Sequence, residues 1–150
     1  MSPAELESYL HVHIPLSAAM QARVLEASLE TVALSAPLAP NINHRETVFG
    51  GSLSAVAILS AWSLLHLRLT QAELPGRLVI QRNEVDYLRP ARGDFTARAA
   101  LSEPEAWPAF VRLLTRRGMA RMSVLSVLEQ GGEVVGRFRG DFVALRGPEV

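Results

Sequence analysis

The sequence predicts an α+β fold in which one antiparallel sheet wraps around a long central helix, and three observations carry that prediction. Val48 to Leu69 is long enough for about six helical turns, holds no charge before Arg68 and is apolar or small on nearly every side. A helix of that composition is enclosed by the rest of the chain rather than laid upon it. The segments after it, Leu78 to Leu88, Phe95 to Ser102, Met119 to Glu129 and Val134 to Leu145, have strand length and strand patterning between turn residues. An antiparallel sheet must cover its apolar face, and the central helix is the one element apolar and long enough to do so.

Composition narrows the reading. At 150 residues with 49% apolar side chains, the chain is expected to form a single domain, residues 1–150, whose core needs no metal or crosslink. Fifteen basic and fifteen acidic residues cancel, which removes any general electrostatic case for binding nucleic acid or an anionic membrane surface. Ser52, Ser54, Ser60, Ser63 and His66 interrupt the central helix at intervals, so a membrane span is not expected. The absence of cysteine excludes disulfides, thiolate metal sites and a cysteine nucleophile. With no basic-then-apolar leader at the N-terminus, the expected location is cytoplasmic.

Taken in order, Ser2-Pro3-Ala4-Glu5 has the form of a capping box with proline at the first helical position, and Pro15 is expected to end the short helix that follows. From Arg23, Leu25, Ala27, Leu29 and Thr31 alternate with Glu26, Ser28 and Glu30 as a half-buried strand. Val32 and Leu34 then change face, which predicts a bulge or sharp bend near Thr31 and so either two strands or one bent strand. Pro37 and Pro40 open a loop that delivers Asn41, Asn43, His44, Arg45, Glu46 and Thr47 to the mouth of the central helix. Pro75-Gly76 turns the chain into Leu78 to Leu88, a strand with an unusual load of polar groups: Gln81, Arg82, Asn83, Glu84 and Asp86. The short turn from Arg89 to Asp94 predicts antiparallel pairing of that strand with the next, Phe95 to Ser102. Trp107, Phe110, Val111 and Leu114 form one stripe of a short helix that Gly118 stops, and two last strands are joined by Gln130-Gly131-Gly132-Glu133. In the second of these, Phe138 and Phe142 face inward and Arg137, Arg139 and Asp141 outward. Helix, strand pair, buried helix and a four-strand meander together make the hotdog architecture. Its exposed sheet edge predicts a homodimer and leaves the pairing of dimers into tetramers open.

Two motifs carry a resemblance. Asn41-Ile42-Asn43-His44-Arg45-Glu46-Thr47-Val48-Phe49-Gly50-Gly51-Ser52, with Trp62 further along, resembles the thioesterase family known as the YiiD C-terminal domain, whose segment usually reads close to N-x-N-x-x-G-T-x-F-G-G-S. Tyr87-Leu88-Arg89-Pro90, followed by Gly93-Asp94 and Ala97-Arg98, is similar to the strand-turn-strand of hotdog thioesterases in general. The likeness runs from Val24 to Leu145. It implies hydrolysis of an acyl thioester carried on coenzyme A or an acyl carrier protein, in a cleft between two subunits, with no cofactor beyond the carrier itself. It also implies substrate contacts from Asn41, His44, Thr47 and Phe49 in the first motif and from Asn83 and Tyr87 on the polar strand. One departure stands out: Glu46 occupies a position where the family has glycine.

The residues give this chemistry a physical form. Inside a helix Gly50 and Gly51 would each cost about 1 kcal/mol relative to alanine, but at its opening turn they leave backbone N–H groups bare for an anionic oxygen. With Ser52 they are the candidate oxyanion donors, favoured by the positive end of the helix dipole. For aiming water, Asn43 lies where one branch of the fold places an aspartate, and an amide can orient water but not deprotonate it. The central helix offers no carboxylate before Glu73, which makes Glu46 the nearest acid in sequence. Ser52 lacks a Gly-x-Ser-x-Gly elbow, and His11 and His13 diverge on a helix, so neither a serine nucleophile nor a metal site is expected. Arg112, Arg116, Arg117 and Arg121 could hold coenzyme phosphates or an acidic carrier, or simply complement a helix C-terminus. Two other functions fit the same fold: a non-catalytic acyl-binding or interaction module, and a hydratase or dehydratase relying on His44.

Overall fold

The structure, a computed structural model, describes residues 1–147. Its centre is α3 (Gly50–Gln71), of which Val56, Ala57, Ala61, Leu64 and Leu65 are completely buried. By length and composition α3 could cross a membrane, but 61% of its apolar window is buried inside the fold, which gives its hydrophobicity a core role.

The sheet has six strands: β1 (Arg23–Ala27), β2 (Val32–Ala36), β3 (Gly76–Tyr87), β4 (Phe95–Leu101), β5 (Met119–Gln130) and β6 (Glu133–Arg146). They lie in the order β1-β2-β4-β5-β6-β3, every pair antiparallel. This is the α+β hotdog arrangement expected, with one correction. β3 does not pair with β4 but lies at the edge beyond β6. Burial explains the placement: Phe95, Ala97 and Ala99 of β4 are buried in the sheet interior, whereas β3, with its polar middle, is tolerable only where one side meets solvent. The connection from Leu88 to Asp94 spans three inter-strand spacings, about 14 Å, well within the reach of about 23 Å for seven residues.

The remaining elements follow local rules. α1 (Pro3–His13) starts on the capping box, with the Ser2 amide donating to Glu5 Oε2 at 2.6 Å and the Glu5 amide to Ser2 Oγ at 3.2 Å. Pro15 ends α1 and also opens a second short helix, α2 (Pro15–Ala19), because a proline lacking an N–H is well placed at a helix start. The bend expected near Thr31 is a hairpin turn: the Ser28 amide donates to Thr31 O at 2.9 Å, and the one bulge in the pair falls earlier, between Val24 and Glu26. Gly131 and Gly132, with φ of 59° and 79°, form the two-residue hairpin between β5 and β6. α4 (Trp107–Arg117) ends on Gly118 at φ 74° and buries Phe110 and Leu114. Phe138 and Phe142 face inward as predicted. Between α3 and β5, Ser60 and Ser126 share a 2.8 Å hydrogen bond, whereas the buried Ser63 Oγ has no partner among the described residues.

The two sheet edges are treated differently. At β1, α1 closes the edge: Glu7 Oε1 accepts from the Val24 amide at 2.9 Å and His11 Nε2 bonds Ala22 O at 2.7 Å. At β3, among the described residues, no strand covers the outer side along its 12 residues.

Leu64 lies on the fully buried side of α3, so shortening its side chain leaves a cavity. Leu64→Ala is expected to lower unfolding free energy by about 2–5 kcal/mol, read as a reduced urea midpoint with unchanged m-value.

Candidate functional site

The N-terminus of α3 is the candidate site, and the segment before it is tied down at both ends. Asn41 is buried and donates through Nδ2 to Met20 O at 2.9 Å and Pro37 O at 2.8 Å. The Phe49 amide donates to Asn41 O at 2.7 Å, and the Val48 amide donates to Ala91 O at 2.8 Å. The mouth therefore rests on the end of α2, the loop after β2 and the β3–β4 connection.

Asn43 holds the intervening turn. Its Oδ1 accepts from the amides of Arg45 at 2.9 Å and Thr47 at 3.1 Å, and its Nδ2 donates to Thr47 Oγ1 at 2.9 Å. Its amide also donates to Thr47 O at 2.8 Å, so both side chain and backbone are engaged inside the loop. Glu46, with φ 61°, sits in the left-handed region at the position where glycine is usual. The loop thus keeps the shape a glycine would give it, at a conformational cost in the glutamate.

The opening turn of α3 has no side-chain cap. The amides of Ser52 and Leu53 donate to Phe49 O at 2.9 and 3.2 Å, while those of Gly50 and Gly51 form no hydrogen bond among the described residues. Two N–H groups and the positive end of a 22-residue helix therefore face outward together. Tyr87 reaches the same point from β3, its hydroxyl donating to Gly50 O at 3.3 Å. The Phe49 ring lies across Gly51, where an added Cβ would come within 2.2 Å of it. Phe49 (57%) and Tyr87 (54%) are exposed at this tip, and Ile42 (48%) and Leu88 (51%), near them along the chain, are exposed as well.

The structure brings Phe49, Gly50, Gly51 and Tyr87 together at the tip and binds Asn43 and Thr47 into the loop behind it. Ser52 is buried, with its amide committed, and Asn41 lies beneath the loop. His44 and Glu46 are exposed on the loop's outer bend. Asn83 is on the helix side of β3, opposite Gly140, four residues and so about 14 Å along the strand from Tyr87. Glu84 and Asp86 face the other side, opposite Arg139 and Arg137, away from the mouth. Sequence reasoning missed Ala91, a backbone anchor that carries no chemical signature. His66 is half-buried, and its ring stacks on both Tyr9 at 4.7 Å and Trp62 at 4.8 Å in one three-ring cluster. The spacing of Trp62 and His66, four apart on one helix face, was the signal available. No group of three or more potential metal ligands occurs among the described residues.

Comparison with known proteins agrees with this fold and motif. The sequence profile of the family described as "Putative thioesterase (yiiD_Cterm)" matches residues 3–146, so the chain belongs to a thioesterase family of hotdog fold. The particular family is that of the YiiD C-terminal domain. A crystal structure described as a "putative thioesterase" from Shewanella oneidensis superposes with a TM-score of 0.84 at 26% identity, covering 95% of this chain and 96% of that one. A protein of unknown function from Chlorobaculum tepidum superposes at 0.91 with 24% identity over 97% and 98% of the two chains. A probable thioesterase from Pseudomonas aeruginosa gives 0.83 at 24% identity over 97% of each.

If the backbone at residue 46 is the constraint, glycine suits it better than glutamate. Glu46→Gly is expected to stabilise the protein by about 0.5–1 kcal/mol, the relief of left-handed strain less the extra chain entropy of glycine. Calorimetry would show this as a thermal midpoint higher by about 1–4 °C.

Proposed function

We propose that the protein hydrolyses acyl thioesters carried on coenzyme A or an acyl carrier protein, in a cleft completed by a second copy of the chain. The observation that carries this reading is the pair of uncommitted amides at Gly50 and Gly51, at the head of the core helix of a thioesterase-family fold. The thioester carbonyl oxygen accepts hydrogen bonds from them, and the helix dipole favours the negative charge that grows there as water adds to the carbonyl carbon. The C–S bond then breaks, the carrier's sulfur leaves and is protonated, and the acid departs. Asn43 and Thr47 act as positioning residues that hold the loop against the helix start. Glu46, exposed on that loop, is the carboxylate proposed to aim and deprotonate the water.

Support for the second copy comes from the sheet edges and the tip. α1 closes the β1 edge while β3 presents an unpaired 12-residue edge, and unpaired edges of that length recruit a partner strand. The exposed side chains of Ile42, Phe49, Tyr87 and Leu88 are the kind of apolar surface an interface covers. A dimer joined through β3 is therefore expected, with a sedimentation mass twice that of the chain and slow hydrogen exchange along the outer β3 amides.

A second reading, binding of acyl thioesters without hydrolysis, is favoured by one observation: α3 carries no carboxylate near its opening turn. Release of free thiol from an acyl-coenzyme A panel separates the two, since tight binding without thiol selects the second.

Gly50→Pro tests the proposed donor directly. Proline is well suited to the first helical position, Phe49 at φ −56° and ψ 130° is compatible with a following proline, and a Cβ at residue 50 meets only Tyr87 at an ordinary 3.5 Å. The substitution replaces one N–H with the ring Cδ, which removes the donor and crowds the oxygen's seat, so kcat is expected to fall at least about 10²-fold with no loss of thermal stability.

A further inference from the structure

At the far end of α3 a groove of about 360 Å³ lies between the helix and the start of β3, walled by Trp62, His66, Leu69, Leu74 and Leu78 and rimmed by Glu73. Its aromatic wall is held in place. Trp62 Nε1 donates to Leu78 O at 3.0 Å, and the Trp62, His66 and Tyr9 rings stack on one another as a cluster. The volume falls within the range of small-molecule sites.

The groove cannot serve the mouth of its own subunit. Trp62 and Leu69 are 12 and 19 residues along α3 from Gly50, which places them about 18 and 28 Å from the candidate oxyanion donors. A partner's mouth is another matter. β3 runs back along α3, with Tyr87 at the Gly50 end and Gly76 at the groove end. If two β3 edges pair antiparallel about the middle of the strand, between Gln81 and Arg82, Gly76 lies beside the partner's Tyr87. Each groove then adjoins the other subunit's helix tip.

We propose that this groove receives the acyl group of the thioester held at the partner's helix mouth, and that it sets the substrate class: an apolar acyl group of medium length. The proposal rests on the thioesterase reading and on pairing through β3. Each working site consists of the mouth of one subunit and the groove of the other, and Trp62 and Leu78 define the end of the acyl seat.

Two experiments test it. Thr70, exposed at the groove margin, is replaced by Trp to fill it, and Leu74→Trp is a second filling variant should the first misfold. Calorimetric titration with the non-hydrolysable octanoyl thioether of coenzyme A is expected to show at least tenfold weaker binding to the filled protein, and the octanoyl-to-acetyl ratio of kcat/KM to fall at least tenfold. In the second experiment Thr70→Trp and Gly50→Pro subunits are unfolded and refolded together. In a mixed dimer one of the two sites then joins an intact mouth to an intact groove, and octanoyl turnover is expected to rise well above that of either parent. Unchanged binding on filling the groove, no octanoyl binding by the wild type, or no recovery in the mixture overturns the proposal. Wild-type turnover with an unchanged acyl ratio defeats the groove and leaves the thioesterase reading standing; weakened binding without any thiol release does the reverse.

Discussion

Everything in this molecule depends on enclosing one helix. α3 is apolar or small over most of its circumference and buries twelve of its 22 residues, so most of it must be covered. The curved sheet covers most of it and α1 part of the remainder, through rings such as Tyr9 against His66 and Trp62. Enclosure satisfies the side chains and leaves the ends of the helix. A helix always carries unpaired N–H groups in its first turn, and here two of them, on residues without side chains, face outward. The point that packing leaves unsatisfied is the point where we propose that the thioester carbonyl binds.

The same constraint explains the strand order. A sheet curved round a helix needs its most apolar strands over the middle, which places β4 and β5 there and moves the polar β3 to the margin. That margin runs from the helix tip at Tyr87 to the groove at Gly76 and Leu78. Contrast with β1 is instructive: Glu7 and His11 occupy backbone groups there with side chains, and strand β3 has no such plug among the described residues. One edge is closed by the chain and the other is left to be closed.

The loop ahead of α3 shows where local energetics yield to the site. Asn43 makes its side chain part of the loop's hydrogen-bond frame, and Val48 and Phe49 fasten the loop to Ala91 and Asn41. Such a frame over-determines the backbone, which is how residue 46 is kept left-handed although it is a glutamate.

Much of this was legible from residues alone. Capping at Ser2 and Glu5, the helix end at Gly118, the Gly131-Gly132 hairpin and the inward Phe138 and Phe142 are decided within a few residues, by dihedral preference, local hydrogen bonds and alternation. The enclosed helix was equally plain, since a pattern apolar or small over most of a helix has few physical solutions. The partner of β3 was not legible, because a short connection favours a hairpin only when the strands it joins have neighbours of equal need, and the demand for burial in β4 outweighed loop length. Nor could the sequence say that Asn43 bonds inward, that Tyr87 meets Gly50, or that Trp62 and His66 wall a groove. Local pattern determined which elements form and which faces they bury; the approach of residues far apart in the chain was decided only when those faces competed for one helix.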